Sequence, residues 1–387
     1  MKKTIKKAIR KFCPNVPVIR RKLNQMKLKD INKYLMTDED VLFGEKSVEN
    51  QIEIVKIYSE KWSQYTKMLN NKFDEYVLRC CEIRERTDLD ILRYKTLFAC
   101  FAYGFLPDEF FAYELENKST VERKKYISDR DCSNYAYKLN DIIDVDIFFD
   151  KFKTYQRYKK YYMREAICVE KEADYSAFCE FLKCYPVFVM KNVTLSKGDS
   201  VELVNFKECG KSVRQLFDEM LSLGKYIVEE PVIQSAIMQQ LNPTSVNTIR
   251  CMTFITNKGI EIGPCFLKVG QGGSFVDNGG KGGILIGIDN ATGILNTIGY
   301  DEFLNGYIKH PDTETSFLGY QLPEWEKMCS LVKEMAEQTP TVRYVGWDMA
   351  HTDKGWVVIE GNGSGQMIGP QIIWKRGFKE EINAIIR

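Results

Sequence analysis

The chain is 387 residues long, a length that predicts two or three domains of ordinary size. Its 44% hydrophobic and 12% aromatic residues are typical of a globular protein with a sizeable core. The 55 basic and 53 acidic side chains leave a net charge of only +2, so bulk charge gives no support for a nucleic-acid partner.

Cysteine usage and the basic start bear on the compartment. The 12 cysteines are scattered, and adjacent Cys80 and Cys81 lack metal-binding spacing, which predicts reduced thiols in a cytoplasmic protein. The start MKKTIKKAIRKF leads into Pro14, Pro17 and more charge, unlike a secretory signal. The sequence contains no run of about 18 apolar residues, so we expect no membrane-spanning helix. The basic start is either a solvated helix or frayed end, or a peripheral contact with the inner face of a membrane.

The first part of the chain has a helical pattern. Apolar residues recur at three-to-four spacing through VENQIEIVKIYSEKWSQYTKMLNNKFDEY, which is the period of an α-helix. We therefore expect a helical N-terminal region over residues 1–119. A linking segment and the start of the next region follow over residues 120–184, where Lys151 comes after Asp150 at the head of an expected helix.

The pattern changes over residues 185–387. Short β-branched runs bounded by turn residues predict strands at YPVFVMKN, KYIVEE, TIRCMTFIT, IEIGPCFLKV and GILIGID. WDMAHT and WVVIE flank the turn DKG and predict a hairpin, while SVRQLFDEMLS and PEWEKMCSLVKEMAEQ predict helices. Strands and helices in this order predict an α+β fold on an antiparallel sheet.

The hairpin carries three oxygen donors. Asp348 and Glu360 can face the same side of neighbouring strands, and Asn362, one strand period beyond Glu360, returns to that side. Carboxylate and amide oxygens suit Mg²⁺, which proteins often share with substrate phosphates. The alternative is an exposed strand face that happens to carry acids.

Further candidates occur before the hairpin. Lys191 ends the strand VFVMK beside the small polar loop SKGDS, a combination suited to phosphate. YIVEEPVI runs from a strand into Glu229, Glu230 and a proline, as a nucleotide-binding hinge would, although an ordinary strand end has the same composition. Lys151 has an equally strong interpretation as one solvated lysine among many.

A third group of candidates surrounds the next strand. Asn247 and Arg250 lie at its start, and the arginine fork suits phosphate or carboxylate, although a surface ion pair is the common alternative. GQGGSFVDNGGKGG holds seven glycines around Asp277 and Asn278, which predicts a loop that is either a ligand-approaching backbone or a plain surface loop. His310 in KHPDTET fits turn chemistry better than proton transfer.

The order of these features resembles the ATP-grasp superfamily. PTSVNTIR, VDNGGKGG, HPDTETSF, GWDMAHT and IEGN resemble its sugar-transfer-associated branch, which is linked to bacterial surface polysaccharide synthesis. The likeness is dense over residues 185–374 and faint over 120–184. It implies an ATP-grasp fold, in which two α+β lobes grip ATP, preceded here by the helical region.

The resemblance also implies roles for individual residues. It implies ATP contacts at Lys151, Lys191, Glu229, Glu230 and the backbone around Val232. It implies that Mg²⁺ is held by Asp348, Glu360 and Asn362. Arg250 would face the γ-phosphate or an acylphosphate, and Asp277 and Asn278 would shape the acceptor or phosphate side. Lys268 stands where the family pattern predicts arginine, which keeps the charge, loses the fork and puts acceptor specificity or activity in doubt.

The implied activity is a Mg-ATP-dependent carboxylate–amine ligation through an acylphosphate. The expected substrates are a carboxylate and an amine such as an amino acid, with a uronic-acid-containing glycan or precursor as the carboxylate. Two alternatives remain open at this stage. One is an ATP-grasp kinase that phosphorylates an alcohol, and the other is a non-catalytic nucleotide-binding scaffold.

Overall fold

The computed structural model describes residues 17–193, 201–275, 277 and 282–387. The chain separates into two compact units, which we call the helical unit and the sheet unit. The helical unit comprises Met1–Ile143, Phe303–Asn305 and Ser364–Arg387. The sheet unit comprises Asp144–Glu302 and Gly306–Gly363.

The first described part of the helical unit is a series of helices, which confirms the predicted N-terminal helical region. They are α1 Pro17–Asn32, α2 Asp38–Gly44, α3 Val48–Lys61, α4 Ser63–Arg79, α5 Cys81–Arg84, α6 Leu89–Tyr103, α7 Pro107–Ala112, α8 Thr120–Arg123 and α9 Asp129–Leu139, with a 3₁₀ turn at Leu115–Asn117. Serines begin several of them, as at α9, where Ser128 Oγ accepts from the Asp131 amide at 3.1 Å and caps the helix. Apolar side chains at helical spacing, including Leu69, Phe73 and Tyr76 on α4, are buried.

The sheet unit contains two antiparallel sheets. Its helices are α10 Lys151–Tyr162, α11 Tyr175–Cys184, α12 Val213–Leu223, α13 Ala236–Gln239 and α14 Trp325–Glu337, with 3₁₀ turns at Asp144–Phe149 and Glu172–Asp174. Its strands are β1 Ala166–Val169, β2 Val187–Asn192, β3 Val201–Asn205, β4 Tyr226–Glu229, β5 Thr248–Thr256, β6 Gly259–Ile262, β7 Phe266–Val269, β8 Ile284–Ile288, β9 Leu295–Tyr300, β10 Gly306–Tyr307, β11 Tyr344–Thr352 and β12 Gly355–Asn362. Two further helices, α15 Ile368–Ile373 and α16 Lys379–Ile386, belong to the helical unit.

The small sheet has the strand order β1-β4-β2-β3, and every pair in it is antiparallel. Phe178 of α11 and Phe217 of α12 pack on its buried side chains Phe188 and Val228. The large sheet has the order β10-β9-β8-β7-β5-β11-β12, with β6 paired to β5. The α+β class predicted from the sequence is confirmed.

The strand period decides which side chains of the large sheet enter the core. Val345, Trp347 and Met349 alternate along β11 and pack in the main hydrophobic core with Val332 and Met335 of α14. The intervening residue Asp348 projects to the opposite face, because successive strand side chains point to opposite sides. Because one face of the sheet is buried, the pairing register of its strands is fixed, and so are the positions of the charged side chains on the other face.

Most of the predicted elements are confirmed within this unit. One predicted strand, IEIGPCFLKV, is instead two strands, β6 and β7, because Gly263 and Pro264 interrupt the ladder. All the cysteines in the described part of the chain are free thiols. Across the same residues, none of the helices has the length and apolar character needed to cross a bilayer.

Candidate active site

Strand pairing brings three charged side chains together on one face of the large sheet. Glu360 of β12 lies opposite Asp348 of β11, and Asp348 lies opposite Arg250 of β5. Arg250 donates from Nε to Asp348 Oδ1 at 2.7 Å and from Nη2 to Oδ2 at 3.0 Å, the bidentate geometry of a strong ion pair.

Lys268 extends this row on the neighbouring strand. It lies on β7 opposite Thr248, two residues before Arg250, so both side chains share the face. Its Nζ is 3.2 Å from Asp348 Oδ1 and 4.0 Å from Asp277 Oδ2. We call Glu360, Asp348, Arg250 and Lys268 the charged ladder.

Asp348 is ionised in this setting. Burial raises the pKa of its carboxyl, but the positive charges of Arg250 and Lys268 outweigh burial and lower the pKa to about 2. The same pair acts on Arg250, where burial lowers the guanidinium pKa and the charge of Asp348 more than offsets it. The charged ladder thus contains a buried ion pair, Arg250 with Asp348, that is ionised at neutral pH, with Lys268 on one side of it and the partly exposed Glu360 on the other.

Among the described residues of the glycine-rich segment 270–283, Asp277 is the one charged residue close to the charged ladder. Its Oδ2 accepts from the Thr248 amide at 3.1 Å and from the Thr248 hydroxyl. Burial raises the pKa of its carboxyl, although Lys268 and the Thr248 hydrogen bond act in the other direction. Asn278 lies outside the described residues.

The predicted magnesium ligands share a face but differ in their present partners. Asn362 of β12 lies opposite Gly346, and the two-residue spacing puts it on the side of Glu360. Its buried side-chain nitrogen has no hydrogen-bond partner among the described residues. Both oxygens of Asp348 already accept from Arg250, so a cation there would share this carboxylate with the guanidinium.

The donor chemistry of this face fits a hard cation. Asp348, Glu360 and Asn362 offer carboxylate and amide oxygens, the ligands that Mg²⁺ prefers. Within the described ranges, no three His, Cys, Asp or Glu side chains are close enough to hold a metal by themselves. A cation at this face therefore depends on the amide oxygen of Asn362 or on oxygens that a substrate brings.

Lys151 lies next to the charged ladder. It is the first residue of α10, whose N-cap Asp150 accepts from the amides of Phe152 and Lys153. Its Nζ is 3.7 Å from Glu360 Oε1. The structure therefore places Lys151 beside Glu360, one of the predicted magnesium ligands.

Lys191 takes part in a second charged cluster, at the small sheet. Its Nζ forms an ion pair with Glu229 Oε1 of β4. Arg164 donates from Nε to Glu229 Oε2 at 2.9 Å, and from Nη1 to the Val358 carbonyl of β12 at 2.8 Å. Burial raises the pKa of the Glu229 carboxyl, but Arg164 and Lys191 together hold it below the ordinary value.

Arg164 is a buried member of this charged cluster that the sequence analysis missed. Its side chain is only 4% exposed, and it connects a buried glutamate of the small sheet to the backbone of the large sheet. Arg164 lies near the end of the run KFKTYQRYKKYYMREA, which is rich in lysine and arginine, so no local pattern distinguishes it from its solvated neighbours. What distinguishes Arg164 is that its partner Glu229 is buried, which the structure reveals and the sequence does not.

The predicted hinge after β4 is less buried than the strand itself. The Glu230 amide donates to the Glu165 carbonyl at 2.9 Å, and Glu230 and Val232 are both half-buried. Beyond them, buried Gln234 donates from Nε2 to the carbonyls of Asn242 and Ser245, both at 2.7 Å. The predicted hinge is therefore followed directly by a buried, hydrogen-bonded polar cluster.

Asn247 and His310 support the backbone around the site. Asn247 Nδ2 donates to the carbonyls of Met238 at 2.8 Å and Asn242 at 3.0 Å. His310 is fully buried, and its Nε2 lies 2.7 Å from the carbonyl oxygen of Gly270, where the glycine-rich segment begins. Its Nδ1 accepts from the Asp312 amide at 3.2 Å, so both ring nitrogens are engaged in turn structure.

Comparison with known proteins assigns the family. The family described as "Sugar-transfer associated ATP-grasp" matches residues 130–387, about two thirds of the chain. The chain belongs to this family. The ATP-grasp fold and the recognition from sequence motifs are thereby confirmed, and the match begins well before the segment where the sequence likeness is dense.

Solved ATP-grasp structures show weaker likeness. D-alanine–D-alanine ligase from Bacillus anthracis is 14% identical, with a TM-score of 0.37 over 64% of this chain and 65% of that one. The ADP complex of N5-carboxyaminoimidazole synthetase from Staphylococcus aureus is 9% identical, with a TM-score of 0.38 over 58% and 46%. The ATP-grasp ligase PsnB with its minimal precursor is 11% identical, with a TM-score of 0.38 over 60% and 57%. The chain thus spans about half to two thirds of these proteins, and no curated protein matches it.

Proposed function

We propose that the protein is a Mg-ATP-dependent ligase that activates a carboxylate as an acylphosphate and joins it to an amine. The observation that supports this most strongly is the charged ladder, in which Glu360, Asp348, Arg250 and Lys268 stand side by side on one sheet face. Phosphoryl transfer needs positioning and compensation of negative charge more than it needs a protein nucleophile. A row of fixed cations and acids meets that need.

In this proposal, ATP binds with its phosphates near the lysines. Lys151 and Lys191 neutralise phosphate charge, and the backbone around Val232 receives the adenine. Of the two acids at the predicted hinge, Glu229 is buried, and its carboxylate is already engaged in ion pairs with Lys191 and Arg164. Glu230 is half-buried. We therefore assign the ribose hydroxyls to Glu230 and the alignment of Lys191 to Glu229.

Magnesium would be held by Asp348, Glu360 and Asn362, and when bound it would neutralise and orient the phosphate oxygens. Arg250 would stabilise charge on the transferring phosphoryl group. Lys268 and Asp277 would lie toward the acceptor. Because Lys268 replaces the expected arginine, it offers a point charge rather than a planar fork to the carboxylate.

The proposed reaction has two steps. A carboxylate oxygen attacks the γ-phosphorus of ATP, the bond to the bridging β–γ oxygen breaks, and ADP leaves. An amine nitrogen then attacks the acyl carbon, phosphate leaves with the bonding electrons, and the amine proton passes to solvent. The family name supports a sugar-containing substrate, and we propose a uronic acid on a surface-polysaccharide precursor as the carboxylate and an amino acid as the amine.

The experiment that tests this proposal measures the products from a panel of uronic acids and amino acids. Hydroxylamine is added in parallel, because it captures an acylphosphate as a hydroxamate even when the natural amine is missing. We expect one free phosphate for each ADP and a hydroxamate with the active carboxylate. ADP formation with phosphate retained on an alcohol would identify a kinase instead, and nucleotide binding without turnover would favour a scaffold.

A further inference from the structure

Basic side chains are concentrated at the start of the sequence. Residues 1–33 contain 12 lysines and arginines and one acid, Asp30. The whole chain has 55 basic and 53 acidic side chains, so the acids are in excess beyond residue 33. The small net charge conceals this separation of opposite charges.

Helix α1 is fixed to the helical unit through one side. Asn24 donates from Nδ2 to the Asn140 carbonyl at 3.1 Å, and Asn32 donates from Nδ2 to Asn134 Oδ1 at 2.8 Å. Arg20 forms an ion pair with Asp141 at 3.0 Å. These contacts fix the rotation of the helix about its axis.

The other side of α1 is exposed and basic. Its exposed residues, with the one that follows the helix, are Arg21, Lys22, Gln25, Met26, Lys29 and Lys33. At 100° per residue they cover about 140° of the helix circumference. We call these six residues the basic face, and none of them is acidic.

We propose that the basic face binds an anionic lipid surface. Clusters of four or more lysines and arginines gain affinity for acidic phospholipids by simple electrostatic attraction. The hydrogen bonds of Asn24 and Asn32 hold the opposite side of the helix in place. The four charged side chains of the basic face, Arg21, Lys22, Lys29 and Lys33, therefore point to the same side without a conformational change. The excess of acid in the rest of the chain would orient the molecule with this face toward the membrane.

Apolar residues among the charges favour lipid over nucleic acid. Met26 is 60% exposed at one edge of the basic face. In the sequence before α1, outside the described residues, Ile5, Ile9 and Phe12 recur at three-to-four spacing between lysines. Interleaved apolar and basic residues are typical of membrane-surface segments. The basic face also lacks the aromatic side chains on which single-stranded bases stack.

The test is sedimentation of the full-length protein with vesicles of phosphatidylglycerol and phosphatidylcholine in equal parts, against vesicles of phosphatidylcholine alone. We expect binding to the anionic vesicles only. Raising the salt from about 0.1 M to about 1 M shortens the screening length from about 10 Å to about 3 Å and should release the protein. Replacing three charges by R21Q, K22Q and K29Q should lower the partition coefficient roughly a hundredfold.

A matched triple variant removes the same charge elsewhere in the helical unit. K46Q, K56Q and K67Q alter exposed lysines near or on α3 and α4 and should retain vesicle binding. Thermal melting of both triple variants checks that each is folded. The proposal would be overturned if both triple variants lost vesicle binding equally, or if the α1 variant bound vesicles as wild type does. It would also be overturned if the protein bound a polyanion such as single-stranded RNA but no vesicles.

Discussion

At the scale of single residues, Asp348 is constrained by two cations in a buried setting. Its side chain is 7% exposed, and it pairs with Arg250 and Lys268. A buried ion pair has an unequal energetic balance: it adds little net stability when complete, but removal of one partner leaves an unpaired buried charge. Substitutions at this position should therefore affect stability and, under the proposed function, also turnover.

We predict that Asp348→Asn lowers the free energy of unfolding by about 3–5 kcal/mol, because Arg250 loses its charged partner. Glu360→Gln, at a side chain that is 36% exposed, should change it by less than about 1 kcal/mol. Urea unfolding at neutral pH measures both. Equal stability of the two variants would contradict the buried-pair description, and wild-type ATP turnover in either would contradict the metal assignment.

The same carboxyl predicts a pH dependence. The pKa of Asp348 is about 2 in the folded protein and near 3.8 when unperturbed, so its stabilising effect is present above pH 4 and lost as pH falls toward 2. Over that interval the stability gap between wild type and Asp348→Asn should narrow by about 2 kcal/mol. Unfolding titrations at several acidic pH values measure this gap, and a constant gap would be the contrary result.

Arg164 provides a prediction at the second charged cluster. Arg164→Leu leaves Glu229 with Lys191 as its remaining charged partner, and should cost about 3 kcal/mol of stability and weaken nucleotide binding. The control is Arg214→Leu, an arginine that is 47% exposed and also pairs with a glutamate, where we expect under about 1 kcal/mol. Similar losses in both variants would contradict a special role for Arg164.

At the scale of elements, strands with continuous apolar or regularly alternating sequence could be predicted, and irregular ones could not. The hairpin of β11 and β12 was predicted because the strand-like runs WDMAHT and WVVIE flank the turn DKG, and the strand period then puts Asp348 and Glu360 on one face. Strands β1, β3, β9 and β10 were not predicted. Strands β1 and β10 are only four and two residues long, and the mixed, partly exposed sequences of β3 and β9 have no period that sets them apart from loops. The pairing of Arg250 with Asp348 required knowledge of which strands are neighbours.

His310 gives the prediction at this scale. Because its ring connects the turn at residues 310–313 to Gly270, His310→Ala should lower the melting temperature by several degrees. The shape of the pH profile of turnover should stay the same, since the ring supports the backbone and carries no proton in the proposed reaction. A pH profile that lost one limb in the variant would instead indicate proton transfer.

At the scale of the whole molecule, the end of the chain completes the helical unit. Gln371 of α15 is 1% exposed, and its Oε1 accepts from the Ile127 amide at 2.7 Å. Its Nε2 donates to the Ile127 carbonyl and to the Tyr113 hydroxyl, both at 2.9 Å. No sequence pattern foretells such a contact, because the partners are more than 240 residues apart. The division of the chain at residues 119 and 184 stays a prediction.

We predict that Gln371→Leu destabilises the protein by about 1–3 kcal/mol, because the buried Ile127 amide loses its partner, while the Ile127 carbonyl and the Tyr113 hydroxyl each lose one hydrogen bond and keep another. Gln64→Leu, at an exposed position on α4, serves as the control and should be close to neutral. Chemical unfolding followed by circular dichroism measures both variants. A neutral effect at Gln371 would show that other contacts hold α15 in place.

The measurement that tests the central claim most directly is isothermal titration with a non-hydrolysable ATP analogue, with and without Mg²⁺. It needs no knowledge of the acceptor, and it compares wild type with Lys191→Ala, Glu360→Gln and the exposed-site control Lys183→Ala. We predict magnesium-dependent binding that the first two variants weaken and the control retains. Folded wild-type protein that binds no nucleotide, or variants that bind as tightly as wild type, would contradict the assignment of this site.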